Sequence, residues 1–296
     1  MKKSRKLLCL LLALVMVVSL LPTAVWAADE TVTEISTAEQ LAAISENPSG
    51  SYILKNDIGS ETAPVTAVIS GTFTGTFDGN GHTVWLNIKA GSTINNGLFS
   101  QLAGGATIKN LQLKGSVSQT NNKSGTGALA GKANSYAGNI SIENCSASVN
   151  VDGYSKVGGL IGEVTSSCTI SYCYNRGNIS GFNYVGGIAG QYTSSISYSY
   201  STGNITLTST NSNKGDIYGG GKGASQSNCF KLESTTIDNN IQTLLNTQKF
   251  IADEDTINDG YPILFWQKSS GGDTSTPTPP AVPSISISST AGTSIW

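Results

Sequence analysis

VGGLIGEVTSSCTISYCYNRGNISGFNYVGGIAGQYTSSISYS, from Val157 to Ser199, says the same two things twice. Gly158-Gly159-Leu160-Ile161-Gly162 returns as Gly186-Gly187-Ile188-Ala189-Gly190, and Ile170-Ser171-Tyr172-Cys173 returns as Ile196-Ser197-Tyr198-Ser199. Toward the N-terminus the same phrases read Gly127-Ala128-Leu129-Ala130-Gly131, Ile142-Glu143-Asn144-Cys145 and Ile108-Lys109-Asn110-Leu111, with Gly97-Leu98-Phe99 as a partial copy. Toward the C-terminus they decay into Gly219-Gly220-Gly221-Lys222-Gly223 and Gln226-Ser227-Asn228-Cys229. Val117, Val151, Ile179 or Ile205 follows six residues after the first four aliphatic phrases, and Gly115, Gly177 or Gly203 precedes it by two, with Val149 the exception. The period is about 26 to 34 residues, which marks a repeat architecture.

Each unit offers short alternating segments broken by Gly or Asn, residues that tolerate sharp corners. No unit has an apolar face of helical period. One unit cannot bury its own aliphatic side chains, so units must stack. Stacking places Ile108, Ile142, Ile170 and Ile196 one above another, about 4.8 Å apart. The period is too short for the four strands and turns of a propeller blade. An all-β, right-handed parallel β-helix is therefore expected, with residues 97–235 as its repeats and 28–96 as an N-terminal cap and first coils.

The open ends of such a stack need covers. At the start, a short helix from Thr37 to about Ile44 is expected, with Ser36 as its cap, Glu39 closing a capping box, and Leu41 and Ile44 facing inward. Phe73-Thr74-Gly75-Thr76-Phe77-Asp78-Gly79-Asn80-Gly81-His82-Thr83-Val84 then opens the β-helix, with Val84, Leu86 and Ile88 alternating inward. At the far end, residues 236–268 form a cap: a helix over Ile241–Leu245, then Tyr261-Pro262-Ile263-Leu264-Phe265-Trp266 plugging the last coil. Residues 269–296 read as a Thr/Pro-rich linker and a tail too short to fold alone, the start of a longer architecture or a truncated frame.

The repeats resemble the GLUG-motif family of bacterial extracellular β-helix proteins. The resemblance rests on Gly159-Leu160-Ile161-Gly162, Gly187-Ile188-Ala189-Gly190, the variant Ala128-Leu129-Ala130-Gly131, and the Gly-Thr-Phe-Asp-Gly-Asn-Gly-His segment upstream. It spans about residues 31 to 267. It implies a protein of the Gram-positive cell surface and a structural role for Gly127, Gly131, Gly158, Gly159, Leu160, Gly162, Gly186, Gly187, Ile188 and Gly190. Such repeats accompany some immunoglobulin-A-cleaving metallopeptidases without being their catalytic part. This chain has no His-Glu-x-x-His motif, so the resemblance does not transfer peptidase activity.

The first residues speak for export. Lys2, Lys3, Arg5 and Lys6 precede an apolar run from Leu7 to Leu20, then Pro22 and Val25-Trp26-Ala27. Cleavage of residues 1–27 after Ala27 is expected, in preference to a retained anchor, which needs about 20 apolar residues. Loss of four of the 17 basic residues leaves 13 against 19 acidic ones, a net charge near −6. That balance gives no footprint for nucleic acid, and after cleavage no membrane insertion is expected. Cys145, Cys173 and Cys229 share one repeat column with Leu111 and Ser199, which favours buried thiols, though a strained Cys145–Cys173 disulfide stays open. Cys168 has no repeat partner.

Four carboxylates lie between Ile108 and Phe230: Glu143, Asp152, Glu163 and Asp216. A glycosidase needs two converging carboxylates, and a lyase needs a base, often beside calcium. Glu143, Asp152 and Glu163 fall in three different repeat columns and Asp216 in an insertion, so no catalytic residue is assigned. His82 with Asp78 and Asn80 is a poor metal set and a good tight turn, so no metal and no cofactor is expected. Tyr174, Tyr200 and Phe230 share a column. Outward, they would form an aromatic strip for a glycan; inward, a stacking ladder. The sequence thus points to a monomeric, noncatalytic adhesion, binding or spacer protein whose partner is a host or environmental glycan or a surface protein. A polysaccharide-cleaving β-helix enzyme is the alternative.

Overall fold

The computed structural model describes residues 31–90, 94–210 and 212–268. The expected leader and Thr/Pro-rich tail lie outside them. Within them the chain is a parallel β-helix. Its first wall is an eight-stranded sheet running from Val32–Ile35 through Ser51–Leu54, Thr76–Asp78, Thr107–Lys109, Ile140–Glu143, Cys168–Ser171 and Ser195–Ser197 to Ser225–Ser227. Every neighbouring pair in it is parallel.

A full coil visits four walls. From Ile140–Glu143 the chain passes to Ser146–Asp152, Ser155–Gly158 and Ile161–Val164, then enters the next coil at Cys168. The period accommodates four strands because some have only two residues and the corner into the second wall costs one. That corner is Asn80, Asn110, Asn144, Tyr172, Tyr198 or Asn228, each in the left-handed region with φ between 44° and 53°. Asn is the least strained side-chain-bearing residue there. Its ladder is reinforced where Asn110 Nδ2 donates to Asp78 at 3.1 Å.

The expected interior column is present. Tyr52, Phe77, Ile108, Ile142, Ile170 and Ile196 are in register along the first wall, and all are buried. Val84, Leu86 and Ile88 face inward on the second wall. Cys145, Cys168 and Cys173 are buried free thiols and Cys229 is a half-buried one. Cys168 does have a repeat partner: it is in register with Ile140.

Three further expectations need correction. The solenoid opens at Val32, two coils before Phe73, and the cap helix is an insertion between the first two strands of the first wall. That helix is Ala38–Ala42, continued as a 3₁₀ turn over Ala43–Glu46, and its cap is Thr37 with Gln40, not Ser36 with Glu39. Thr37 Oγ1 accepts the Gln40 N–H, and Gln40 Oε1 accepts from Thr37 and Ser36. Leu41 and Ile44 face inward as expected. Finally, Tyr261–Trp266 does not plug the last coil. The interior column ends on an exposed Gln226 at the Ser225–Ser227 strand, and the aromatic segment lies elsewhere.

Candidate functional site

After the last coil the chain doubles back along the outside of the second wall. This strap comprises the helix Asn239–Leu245, the antiparallel pair Phe250–Ile251 and Ile263–Leu264, and a final helical turn Phe265–Lys268. Asp238 caps the helix by accepting from the Asn240 and Ile241 amides. Asp253 ties the intervening loop by accepting from Ile257, Asn258 and Gly260 N–H groups at 2.7–2.8 Å.

One outward column of the second wall decides where the strap can lie. In register it reads Thr83, Gln112, Ser146, Tyr174, Tyr200, Phe230. The later half is aromatic and the earlier half polar. Tyr174 and Tyr200 stack with centroids 4.9 Å apart and planes 8° from parallel. Together with Leu232, Ile241, Leu244, Phe250 and Leu264 they form a second hydrophobic core outside the solenoid. The candidate glycan strip Tyr174, Tyr200 and Phe230 is therefore neither an interior ladder nor an open face. It points outward and is covered: Tyr174 and Tyr200 are fully buried, Phe230 half-buried.

Polar contacts fix the seating. The Tyr200 hydroxyl donates to the Pro262 carbonyl and accepts from Asn258 Nδ2 at 2.8 Å. The Tyr174 hydroxyl bonds the Gln267 amide at 2.8–3.0 Å. Arg176 meets Asn258 at 3.1 Å and also pairs with Asp259. Burial raises both phenols, Tyr174 to about 12 from an ordinary 10. A raised phenol favours folding fully below its unfolded value; for Tyr174 that contribution is lost as pH rises from 10 through about 12, and Tyr200 acts in the same direction. Alkali should therefore release the strap first. Tyrosinate absorbance should rise together with loss of strap amide protection above pH 10; ionisation of Tyr174 with the strap still protected would refute this coupling.

Where the column turns polar the strap no longer lies flush, and a cleft of about 560 Å³ remains. Asp57, Asn80, Gly81, His82, Thr83, Gln112 and Lys114 line it from the solenoid, and Ile257, Trp266 and Gln267 from the strap. Gly81 lies beneath Trp266: its φ of +80° favours glycine, and a Cβ there would meet the indole at an ordinary 3.4 Å. The indole N–H donates to the Asn144 carbonyl at 3.2 Å. Asp57 accepts the Thr83 N–H at 2.9 Å and lies 3.4 Å from His82 Nδ1. Lys114 stands over the Trp85 ring at 5.4 Å. The Asp78-to-His82 segment is the expected tight turn, with Asn80 N–H on Asp78 at 2.8 Å and His82 N–H on the Gly79 carbonyl at 2.8 Å. Among the described residues no group of three His, Cys, Asp or Glu side chains is placed to hold a metal. Sequence reasoning missed this cleft, although carrying the Tyr174 register back two coils reaches Ser146 and Gln112.

The four repeat carboxylates disperse. Glu143 on the first wall pairs with Lys249 at 3.5 Å, and Asp152 ends a second-wall strand beside Ser180. Glu163, on the fourth wall, lies between Lys156 at 2.6 Å and Lys132 at 3.8 Å. Asp216 precedes the last fourth-wall strand.

The glycine phrases are contact points between coils. A Cβ on Gly159 would lie 2.2 Å from the Gly187 carbonyl, on Gly187 2.2 Å from that of Asp216, and on Gly127 2.5 Å from that of Leu160. Gly158, Gly186, Gly131, Gly162 and Gly190 are as tightly blocked, each within 2.4 Å of backbone. Leu160 and Ile188 are buried in the core between them.

Residues 183–206 match the GLUG motif, and residues 29–153 match the N-terminal region of M26 IgA1-specific metallo-endopeptidases. A solved structure from Bacteroides ovatus, described as a candidate immunoglobulin A1 protease, shares the fold at a TM-score of 0.57 and 20% identity. The likeness covers 81% of this chain and 94% of that one. A stretch of 108 residues is 32% identical to halomucin of Haloquadratum walsbyi; it is 36% of this chain and spans about 1% of that protein's length. The glycine phrase matched at residues 183–206 is the one that builds these coils, so the chain carries a GLUG motif on a parallel β-helix.

Proposed function

We propose that this chain is an exported, noncatalytic β-helix module of a bacterial surface, serving adhesion or ligand binding on a rigid stalk. The observation that carries the reading is the strap. It converts a repetitive wall into one specific, side-chain-lined cleft, while the repeat carboxylates face different walls and three of them are engaged by Lys or Ser. Similarity to the N-terminal region of M26 peptidases and to a short part of halomucin supports a module within extracellular proteins. The leader ending at Ala27 supports export, and no helix among the described residues is long and apolar enough to cross a membrane. Incubating the mature chain with plant and host polysaccharides should release neither reducing nor unsaturated ends. New ends would replace this reading with a lyase or glycoside hydrolase.

A further inference from the structure

We infer that the cleft between the strap and the first coils of the second wall binds a carboxylate-bearing saccharide; this rests on the binding reading above and names its site. Trp266 lines this cleft, and Trp85 lies beneath the lining residue Lys114. A half-buried indole gives a flat, weakly polar surface suited to the C–H face of a pyranose. Around it stand the kinds of groups that ring hydroxyls require: the side-chain amides of Gln112 and Asn80, while Gln267 and Thr83 are already bonded to Tyr174 and Gln112 and serve to hold the wall. The volume suits one or two sugar residues, within the usual range of about 300–1,000 Å³ for ligand pockets.

Charge selects among sugars. Asp57 accepts the Thr83 amide and lies 3.4 Å from His82 Nδ1, an ion pair only when that imidazole is protonated. Lys114, by contrast, has no carboxylate within salt-bridge distance among the described residues and is held over the Trp85 face. A preorganised ammonium beside an indole platform is a seat for a sugar carboxylate. The chain is acidic as a whole, so a cation left unpaired in its cleft is a local feature rather than part of a general basic surface.

The test is a titration of the mature chain with uronate oligosaccharides and their neutral counterparts, read by tryptophan fluorescence and by calorimetry. Saturable fluorescence change is expected with uronates, at least tenfold tighter than with neutral chains and weakened by salt. Lys114→Gln should remove the preference for the acidic sugar, and Gln112→Ala should weaken both, with circular dichroism and melting unchanged. Binding that neither substitution alters would place the ligand elsewhere and sink this site while leaving the binding module standing. Absence of any saccharide binding would overturn the site, and so would tighter binding of an acidic peptide in the same titration. Release of new sugar ends would overturn the module reading itself.

Discussion

Gly159→Ala should cost more than about 3 kcal/mol of stability, beyond the 1–3 kcal/mol usual for overpacking. The added methyl would stand 2.2 Å from the Gly187 carbonyl and 2.5 Å from the Asn175 side chain, where real Cβ contacts stay above 3.0 Å. Neither obstacle can swing away. Gly187 is backbone in the next coil, and Asn175 is itself held, its Nδ2 donating to the Gly177 carbonyl at 2.9 Å and its Oδ1 accepting the Gly177 amide at 3.2 Å. Relief requires separating two coils, which breaks the hydrogen bonds of every wall at that level. Because a solenoid is stabilised mainly by contacts between neighbouring units, one bad interface weakens the whole stack. Gly71→Ala is the control. Nothing lies within 4 Å of its Cβ, but its φ is +82°, so only backbone strain of about 1–2 kcal/mol is at stake. Urea unfolding compares the two variants. Equal losses would show that the glycine phrase serves chain flexibility and not close approach between coils.

What was legible in the sequence is what repeats. The inward aliphatic column and the glycine phrases recur at fixed offsets, so each copy corroborates the others; Ile142, Ile170 and Ile196 stack for that reason. The side taken by Tyr174 was not legible, because the left-handed residue at Tyr172 resets the alternation. After that corner Cys173 points in, Tyr174 out and Asn175 in again. The cap was misplaced by one residue because Ser36 and Thr37 each have a carboxylate or amide three positions on, in Glu39 and Gln40. Only packing distinguishes two such overlapping boxes. The strap carries no repeat, so no register located it, and its aromatics look equally suited to an end plug. The cleft follows from the strap and was hidden with it.

Tyr200→Ala should detach the strap while leaving the coils folded. The ring is buried between Tyr174, 4.9 Å away and stacked, and Phe250, 5.7 Å away and tilted. Its hydroxyl joins Pro262 and Asn258, so one side chain is the packing centre and the polar anchor of the second core. Truncating a buried aromatic costs about 3–5 kcal/mol. Tyr200→Phe keeps the stack and should cost about 1–2 kcal/mol for the lost hydrogen bonds. The strap adds one antiparallel pair and one helix of seven residues, too little to stay ordered without the wall beneath it. The first wall, by contrast, buries its column on the other side of the backbone and does not use Tyr200. Hydrogen exchange should therefore show rapid exchange at Ile251, Ile263 and Leu264 in the alanine variant, with Ile142 and Ile170 still protected. Trp266 and Gln267 would leave the cleft with the strap, so uronate binding should fall in parallel. Strap amides that stay protected in Tyr200→Ala would mean that the covered aromatic column is not what holds the chain against the solenoid.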